Sequence, residues 1–269
     1  GLSVLALYEL LQRVKLPNAV AGLGATALAL SAPLLMVTQN WDDHSRAKQY
    51  ASRDYARNFL ESCAPDAIIF TYGDNDTYPL WYCQEVENIR TDVRVVNLSL
   101  IAVDWYIDQL RRAVNNSPAI DMSIPAEQLR GFKRVQIPYY SMTNQDPLMN
   151  LDAVIKFMGE DHKLPSGQGR DFDTYLPTRK IFIPVNKKAA LASGTVALSD
   201  SAKIVDTMMM DLGDKTEYII KDQLAMMDIV ASNLFKRPIY WAVTVREDRL
   251  LGLENYLQLE GLALRLTPI

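Results

Sequence analysis

Asp74-Asn75-Asp76 follows the apolar, β-branched run Ala67-Ile68-Ile69-Phe70-Thr71-Tyr72 and the breaker Gly73. Two acids at Asp-x-Asp spacing, on a polar elbow that leaves a strand, can share Mg²⁺ or Mn²⁺ on hard oxygen ligands. Many nucleotide-sugar transferases clamp a metal on a diphosphate with acids in that pattern. A second run, Asp92–Leu98, ends in Asn97 and Ser99, and two later strands end in Lys221-Asp222 and Thr244–Arg246. In an open parallel sheet the ligand crevice lies beyond the carboxyl ends of the strands. If these strands share one sheet, Asp74, Asn75, Asp76, Asn97, Ser99, Lys221, Asp222 and Arg246 form one candidate ligand site. Asp74 and Asp76 would take the metal, and Lys221 or Arg246 a phosphate or carboxylate.

The same residues have structural work open to them. Asp76 or Thr77 can cap the helix that Pro79 begins, Asp74 or Asn75 can close an Asx turn, and Asp222 can cap a helix from Gln223. No glycine-rich phosphate loop, Gly-x-Ser-x-Gly elbow or close Cys/His or Ser/His pairing accompanies them. His44 and His162 lie far apart, outside any zinc-type spacing. Met208-Met209-Met210 and Met226-Met227 read as core filling rather than soft metal ligands.

The elements that must position these groups form two β-α-β units. In the first, the strand at Ala67–Tyr72 leads to a helix with Leu80, Cys83 and Val86 on one face, then to the strand at Asp92–Leu98. In the second, Glu217–Ile220, Asp222–Leu234 and Pro238–Val245 read as strand, helix and strand. An amphipathic helix is expected over Trp41–Cys63, capped by Asp42, Asp43 or Ser45. Asp104 is placed to cap a helix through Val114. Between the two units, strands are expected at Arg134–Tyr139 and Arg179–Val185, helices at Leu151–Met158 and from Asn186, a loop at Lys163–Arg170 and an edge strand within Lys203–Leu212. The tail suggests a short helix at Leu253–Leu259 and a strand at Leu262–Leu266. The predicted fold is α/β, a Rossmann-like three-layer sandwich with a mainly parallel sheet.

Leu16–Trp41 contains no charged residue, and Ala19–Thr38 is long enough to span a bilayer. Arg13 and Lys15 precede the run, and Asp42 and Asp43 follow it. The positive-inside rule therefore puts everything after Trp41 outside the cytoplasm. A core helix or a cleaved signal peptide are the rival assignments; the leucine-rich residues before the run and Pro33 near the best cleavage site weigh against the signal peptide. Residues 1–40 are thus expected to be membrane-proximal and residues 41–269 an extracytoplasmic domain.

The chain has 269 residues, with 28 Lys and Arg against 32 Asp and Glu, and lacks the basic footprint of a nucleic-acid binder. Cys63 and Cys83 are too few for a disulfide scaffold and fall toward opposite ends of the first strand, although an exported domain would permit a bridge.

Asn40–His44, Phe70–Tyr82, Arg90–Leu100, Lys221–Leu224 and Arg237–Val245 together resemble the extracytoplasmic part of a large Bacteroidetes membrane-protein family. That family was formerly a domain of unknown function and is similar to eukaryotic multi-spanning protein O-mannosyltransferases. Asn88 stands where the family pattern suggests glycine. The resemblance implies an inner-membrane parent that transfers a sugar from a lipid-linked donor to an exported protein acceptor, with this domain in the periplasm. The catalytic acid would lie in an early loop outside this chain, so no catalytic residue is assigned. The roles that follow are acceptor recognition or scaffolding, with an independent metal- or phosphate-binding module or an envelope-interaction module as the alternatives.

Overall fold

A computed structural model describes residues 2–141, 145–165 and 171–269. The chain divides into two compact units, Gly1–Tyr50 and Ala51–Ile269. The first is a helical pair, α1 (Leu2–Gln12) and α2 (Asn18–His44). Leu11 packs against Gly24, where an added Cβ would come within 3.3 Å of the leucine methyl. Ala21 and Ala25 are the buried residues of α2, and its leucines face outward. The helix is long and apolar enough to cross a membrane, which suggests membrane association, and its exposure does not fit a core helix.

The second unit contains, in chain order, α3 (Ala51–Ser62), β1 (Ile68–Thr71), α4 (Asp74–Glu85), β2 (Arg94–Asn97), α5 (Asp104–Leu110), α6 (Ala126–Leu129), β3 (Gln136–Pro138), β4 (Met149–Asn150) and α7 (Leu151–Gly159). It continues with β5 (Lys180–Pro184), α8 (Lys187–Ala192), β6 (Thr207–Asp211), β7 (Tyr218–Ile220), α9 (Lys221–Asn233), β8 (Ile239–Ala242), β9 (Leu257–Glu260) and β10 (Ala263–Leu266). The main sheet has the order β2-β1-β8-β10-β9. β1 pairs in parallel with both β2 and β8, with Phe70 opposite Val96 on one side and Trp241 on the other. Every residue of these three strands is buried, so helices and loops cover both faces. Phe70 and Trp241 meet in the core with ring centroids 5.1 Å apart and planes tilted by 40°.

The α/β class and the N-terminal apolar helix agree with the sequence, but the sheets are mixed rather than mainly parallel. β9 and β10 form a hairpin, which must add antiparallel. Its turn needs Gly261: φ is +60° and an added Cβ would lie 2.2 Å from Ser62 Oγ. β7 pairs with β3, and β4, β5 and β6 form a third sheet. The second expected β-α-β unit is therefore not one, because its first strand lies outside the main sheet.

Other boundaries move too. The helix expected over Trp41–Cys63 is two, because Ser45 turns extended and α3 begins only at Ala51. Asp42, Asp43 and Ser45 consequently do not cap α3, whose buried stripe is Ala56, Phe59 and Leu60. Leu257–Leu259 is strand, not helix. Asn150 and Asn186 cap α7 and α8 through their side chains, and Thr207–Asp211 pairs with β5. In the loop Lys163–Arg170, residues 166–170 lie outside the described residues. Cys63 and Cys83 are free and buried, and burial pushes the Cys63 thiol up to about 12.

Arginines close the amino edge of the main sheet. Arg90 donates to the carbonyls of Leu60, Cys63 and Ala64 at the end of α3 and pairs with Asp92 at 2.9 Å. Arg94 donates to Gln109, Leu110 and Arg112 at the end of α5. Arg237 ties β8 to the start of β1 through Asp66 O at 2.7 Å, and to Ser117 Oγ at 2.9 Å. Such donors answer the carbonyls a helix leaves free at its end.

Arg237 is 8% exposed, so Arg237→Met strands buried acceptors and is expected to cost about 3 kcal/mol in urea unfolding. Arg246→Met, at a side chain 74% exposed, should cost less than about 0.5 kcal/mol. The hydrogen bonds from Arg90 hold the Asp92 carboxyl below its ordinary value of 3.8. A depressed folded value means that the pair's contribution is complete above the unfolded value and is lost as pH falls through the folded one. Urea titrations of wild type and Asp92→Asn should thus show a stability gap that is constant from pH 7 to about pH 4 and closes below it.

Candidate functional site

Because β1 pairs in parallel with β2 and β8, three strand ends meet at one edge, with Thr71 opposite Asn97. β1 leads through Tyr72 to Gly73, whose φ of +82° and ψ of 179° belong to a region only glycine adopts freely. The chain then enters α4 at once. Asp74, Asn75 and Asp76 form its first turn, where acids meet the positive end of the helix dipole. Pro79 consequently lies inside the helix, not at its start, and no side chain caps it. Leu80 and Cys83 face the core as expected, whereas Val86 is exposed.

The elbow is held by its own side chains. Thr77 Oγ1 donates to Gly73 O at 2.8 Å and lies 2.7 Å from Thr71 Oγ1. Asp76 is buried and accepts a 2.5 Å hydrogen bond from Thr244 Oγ1 at the end of β8. Asp74 is exposed, and its negative charge one turn before Tyr78 raises the tyrosine's pKa. Asn97 is fully buried; its Oδ1 accepts from Ser99 N at 2.8 Å, and its Nδ2 has no partner among the described residues. Ser99 is exposed beside it.

The remaining predicted residues are placed differently. Lys221 leaves β7, outside the main sheet, and is buried, donating to Gly131 O at 2.6 Å. Burial lowers its pKa, against the opposing effect of Asp104 and Asp173. Asp104 does not cap α5 with its side chain; both its oxygens accept the Gly131 N–H, so that Gly131 is held at its N–H by Asp104 and at its carbonyl by Lys221. Asp222 lies within the first turn of α9 rather than before it, and pairs with Arg249 at 2.5 Å. Arg249 lies 5.5 Å from the centre of the Tyr72 ring, which links Asp222 to the elbow. Arg246 is instead exposed and pairs with Asp248 at 3.1 Å. Arg249 is thus the cation that sequence reasoning missed; both arginines follow β8, and only packing distinguishes them.

Among the described residues no group of three or more His, Cys, Asp or Glu is placed to hold a metal ion, and Asp76 is already engaged by Thr244. The edge thus offers one exposed carboxylate, the buried Asn97 amide and an Arg249–Asp222 pair.

Residues 52–269, nearly all of the second unit, match the family described as TMEM260-associated domain 2. The chain belongs to this family. Over 86 residues it is 33% identical to the mouse (Mus musculus) protein O-mannosyl-transferase TMEM260. The match takes up 31% of this chain and spans only 12% of the length of the mouse protein. No solved structure matches the chain. In this TMEM260-associated domain the conformation at Gly73 sets the direction in which α4 leaves β1. Gly73→Ala meets no atom within 4 Å, so its cost is conformational alone. It should lower stability by about 1–3 kcal/mol in urea unfolding, whereas Asn75→Ala, on the exposed side of the same turn, should cost less than about 0.5 kcal/mol.

Proposed function

We propose that this chain is the periplasmic domain, with its membrane-proximal helix, of a membrane-embedded glycosyltransferase of the protein O-mannosyl-transferase kind, acting in acceptor recognition or scaffolding. The observation that carries the reading is the family match over residues 52–269, joined to an apolar helix just upstream. In this reading residues 1–40 belong to the membrane and residues 41–269 to the extracytoplasmic side of the inner membrane. The orientation rests on Arg13 and Lys15 before α2 and on Asp42 and Asp43 at its end. The parent belongs to the Bacteroidetes family of the resemblance, its partners are an exported protein and a lipid-linked sugar, and transfer takes place elsewhere in it.

The carboxyl edge supports a recognition or scaffolding role. Asp76 and Asp222 are each engaged by a partner from another part of the fold, Thr244 and Arg249. Groups tied into the fold in this way hold a surface in shape. Removing residues 51–269 from the full-length parent should reduce glycosylation of exported proteins, measured by glycan mass spectrometry of the envelope fraction. Unchanged glycosylation with the truncated parent present at normal level in the membrane would sink the reading.

A further inference from the structure

Away from the carboxyl edge, a cavity of about 450 Å³ runs along the outer side of β2, between α4 and α5. β2 is the edge strand of the main sheet, and an exposed edge ordinarily invites an added strand. Here that role is blocked. Tyr106 Oη accepts the Asn97 N–H at 2.8 Å and donates to Val95 O, while Gln84 Nε2 donates to Val93 O at 2.7 Å. Three of the backbone groups that an extended peptide would use, Asn97 N–H, Val95 O and Val93 O, are taken by the protein's own side chains.

What the cavity offers instead comes from side chains. Trp81 and Trp105 form aromatic walls, and Trp105 is 57% exposed. Arg94 lines the same space and is only 6% exposed. All three carbonyls that it holds are bound through Nη2, and Nη1 has no partner among the described residues. A buried guanidinium N–H without an acceptor is costly, and Nη1 is itself covered, so a ligand oxygen gains this contact only where the cavity wall yields. Glu85, Gln109 and Asn115 add planar polar groups to the wall, and Glu85 accepts from Asn115 Nδ2 at 2.7 Å.

The lining carries one guanidinium and one carboxylate, so it does not select an anion by charge. Aromatic faces meet apolar C–H surface, and amide, carboxylate and guanidinium groups meet hydroxyls and ring oxygens. A pyranose presents both surfaces, and the volume is within the range of small-molecule sites. We infer that the β2 cavity binds an uncharged pyranose of a glycan, stacked on Trp105 beside the polar groups of Glu85, Gln109 and Asn115. The inference rests on the glycosyltransferase reading for its biological setting and on the cavity for its chemistry.

The test uses the chain of residues 1–269 in a detergent without a sugar headgroup, labelled with 5-fluorotryptophan. Its four tryptophans are Trp41, Trp81, Trp105 and Trp241, and the fully buried Trp241 and the N-terminal Trp41 serve as internal controls. Methyl α-mannopyranoside, methyl β-glucopyranoside and N-acetylglucosamine are titrated, with inorganic phosphate, mannose 1-phosphate and a polar pentapeptide alongside. At least one neutral sugar should shift the Trp81 and Trp105 fluorine resonances saturably and leave the other two unmoved. Trp105→Ala, at an exposed position, should weaken the Trp81 response at least tenfold, and Gln109→Ala should weaken it severalfold. The inference is overturned if no neutral sugar moves these resonances, if Trp105→Ala leaves the affinity unchanged, or if phosphate, mannose 1-phosphate or the pentapeptide binds more tightly than every neutral sugar. Failure here alongside lost glycosylation in the truncated parent removes the cavity and keeps the domain's role. Sugar binding alongside unchanged glycosylation removes the role and keeps the cavity.

Discussion

The fold depends on charged donors being brought to carbonyl groups that would otherwise be buried without partners. Each helix that follows a parallel strand runs back toward the amino edge of the sheet, and its last carbonyls arrive there unpaired. Arg94, at the start of β2, takes the end of α5, and Arg90, in the loop before β2, takes the end of α3. Arg134, 1% exposed, does the same for α7 outside the main sheet, reaching Met158 O at 2.7 Å and Gly159 O at 3.0 Å. A guanidinium is suited to this work because it stays charged and spreads several N–H donors in one plane. Without these contacts the helices would have to end in water, and the loops between strands could not be short.

Arg237 adds a long-range connection to this set of caps. Its contacts with Asp66 and Ala67 hold the start of β8 beside the start of β1, far apart in the chain, and Pro238 O accepts the Ile68 N–H at 2.8 Å. Closing so long a loop has an entropic cost that rises only slowly with length, so the central pairing tolerates the two small sheets inserted between its strands. Asp228 shows the same logic with the opposite sign. Fully buried in α9, it accepts from Ser123 N, Ser123 Oγ and Ile124 N, and thereby fastens the segment before α6 to the helix.

These ties give the two edges of the main sheet different characters. The amino edge is filled by guanidinium groups and helix carbonyls. The carboxyl edge begins with Gly73 and the acids of α4, and is closed by short contacts such as Thr244 with Asp76 and Arg249 with Asp222. The outer side of β2 differs from both. Tyr106 and Gln84 bond Asn97 N–H, Val95 O and Val93 O, and Arg94 holds its carbonyls through Nη2 alone, leaving Nη1 buried without a partner among the described residues. A residue that serves as a helix cap therefore also lines the cavity beside the edge strand.

Much of this was legible in the chain itself. Local pattern is enough to place β1, β2 and β8, the polar elbow after β1, the helices at α7 and α8 and the long apolar helix, because a short apolar run or a helical stripe depends only on neighbouring residues. The sequence also pointed to the carboxyl edge, since parallel β1 and β2 follow from the length of their connection. It could not say which sheet β7 joins, so Lys221 and Asp222 were assigned to an edge that only Asp222 reaches, through Arg249. Nor could it show that Arg94, written within a strand, caps a helix, or that Trp81 and Trp105 line one cavity. Strand order and side-chain partners far apart in the chain are set by which distant surfaces bury together, and that is decided only when the whole chain packs.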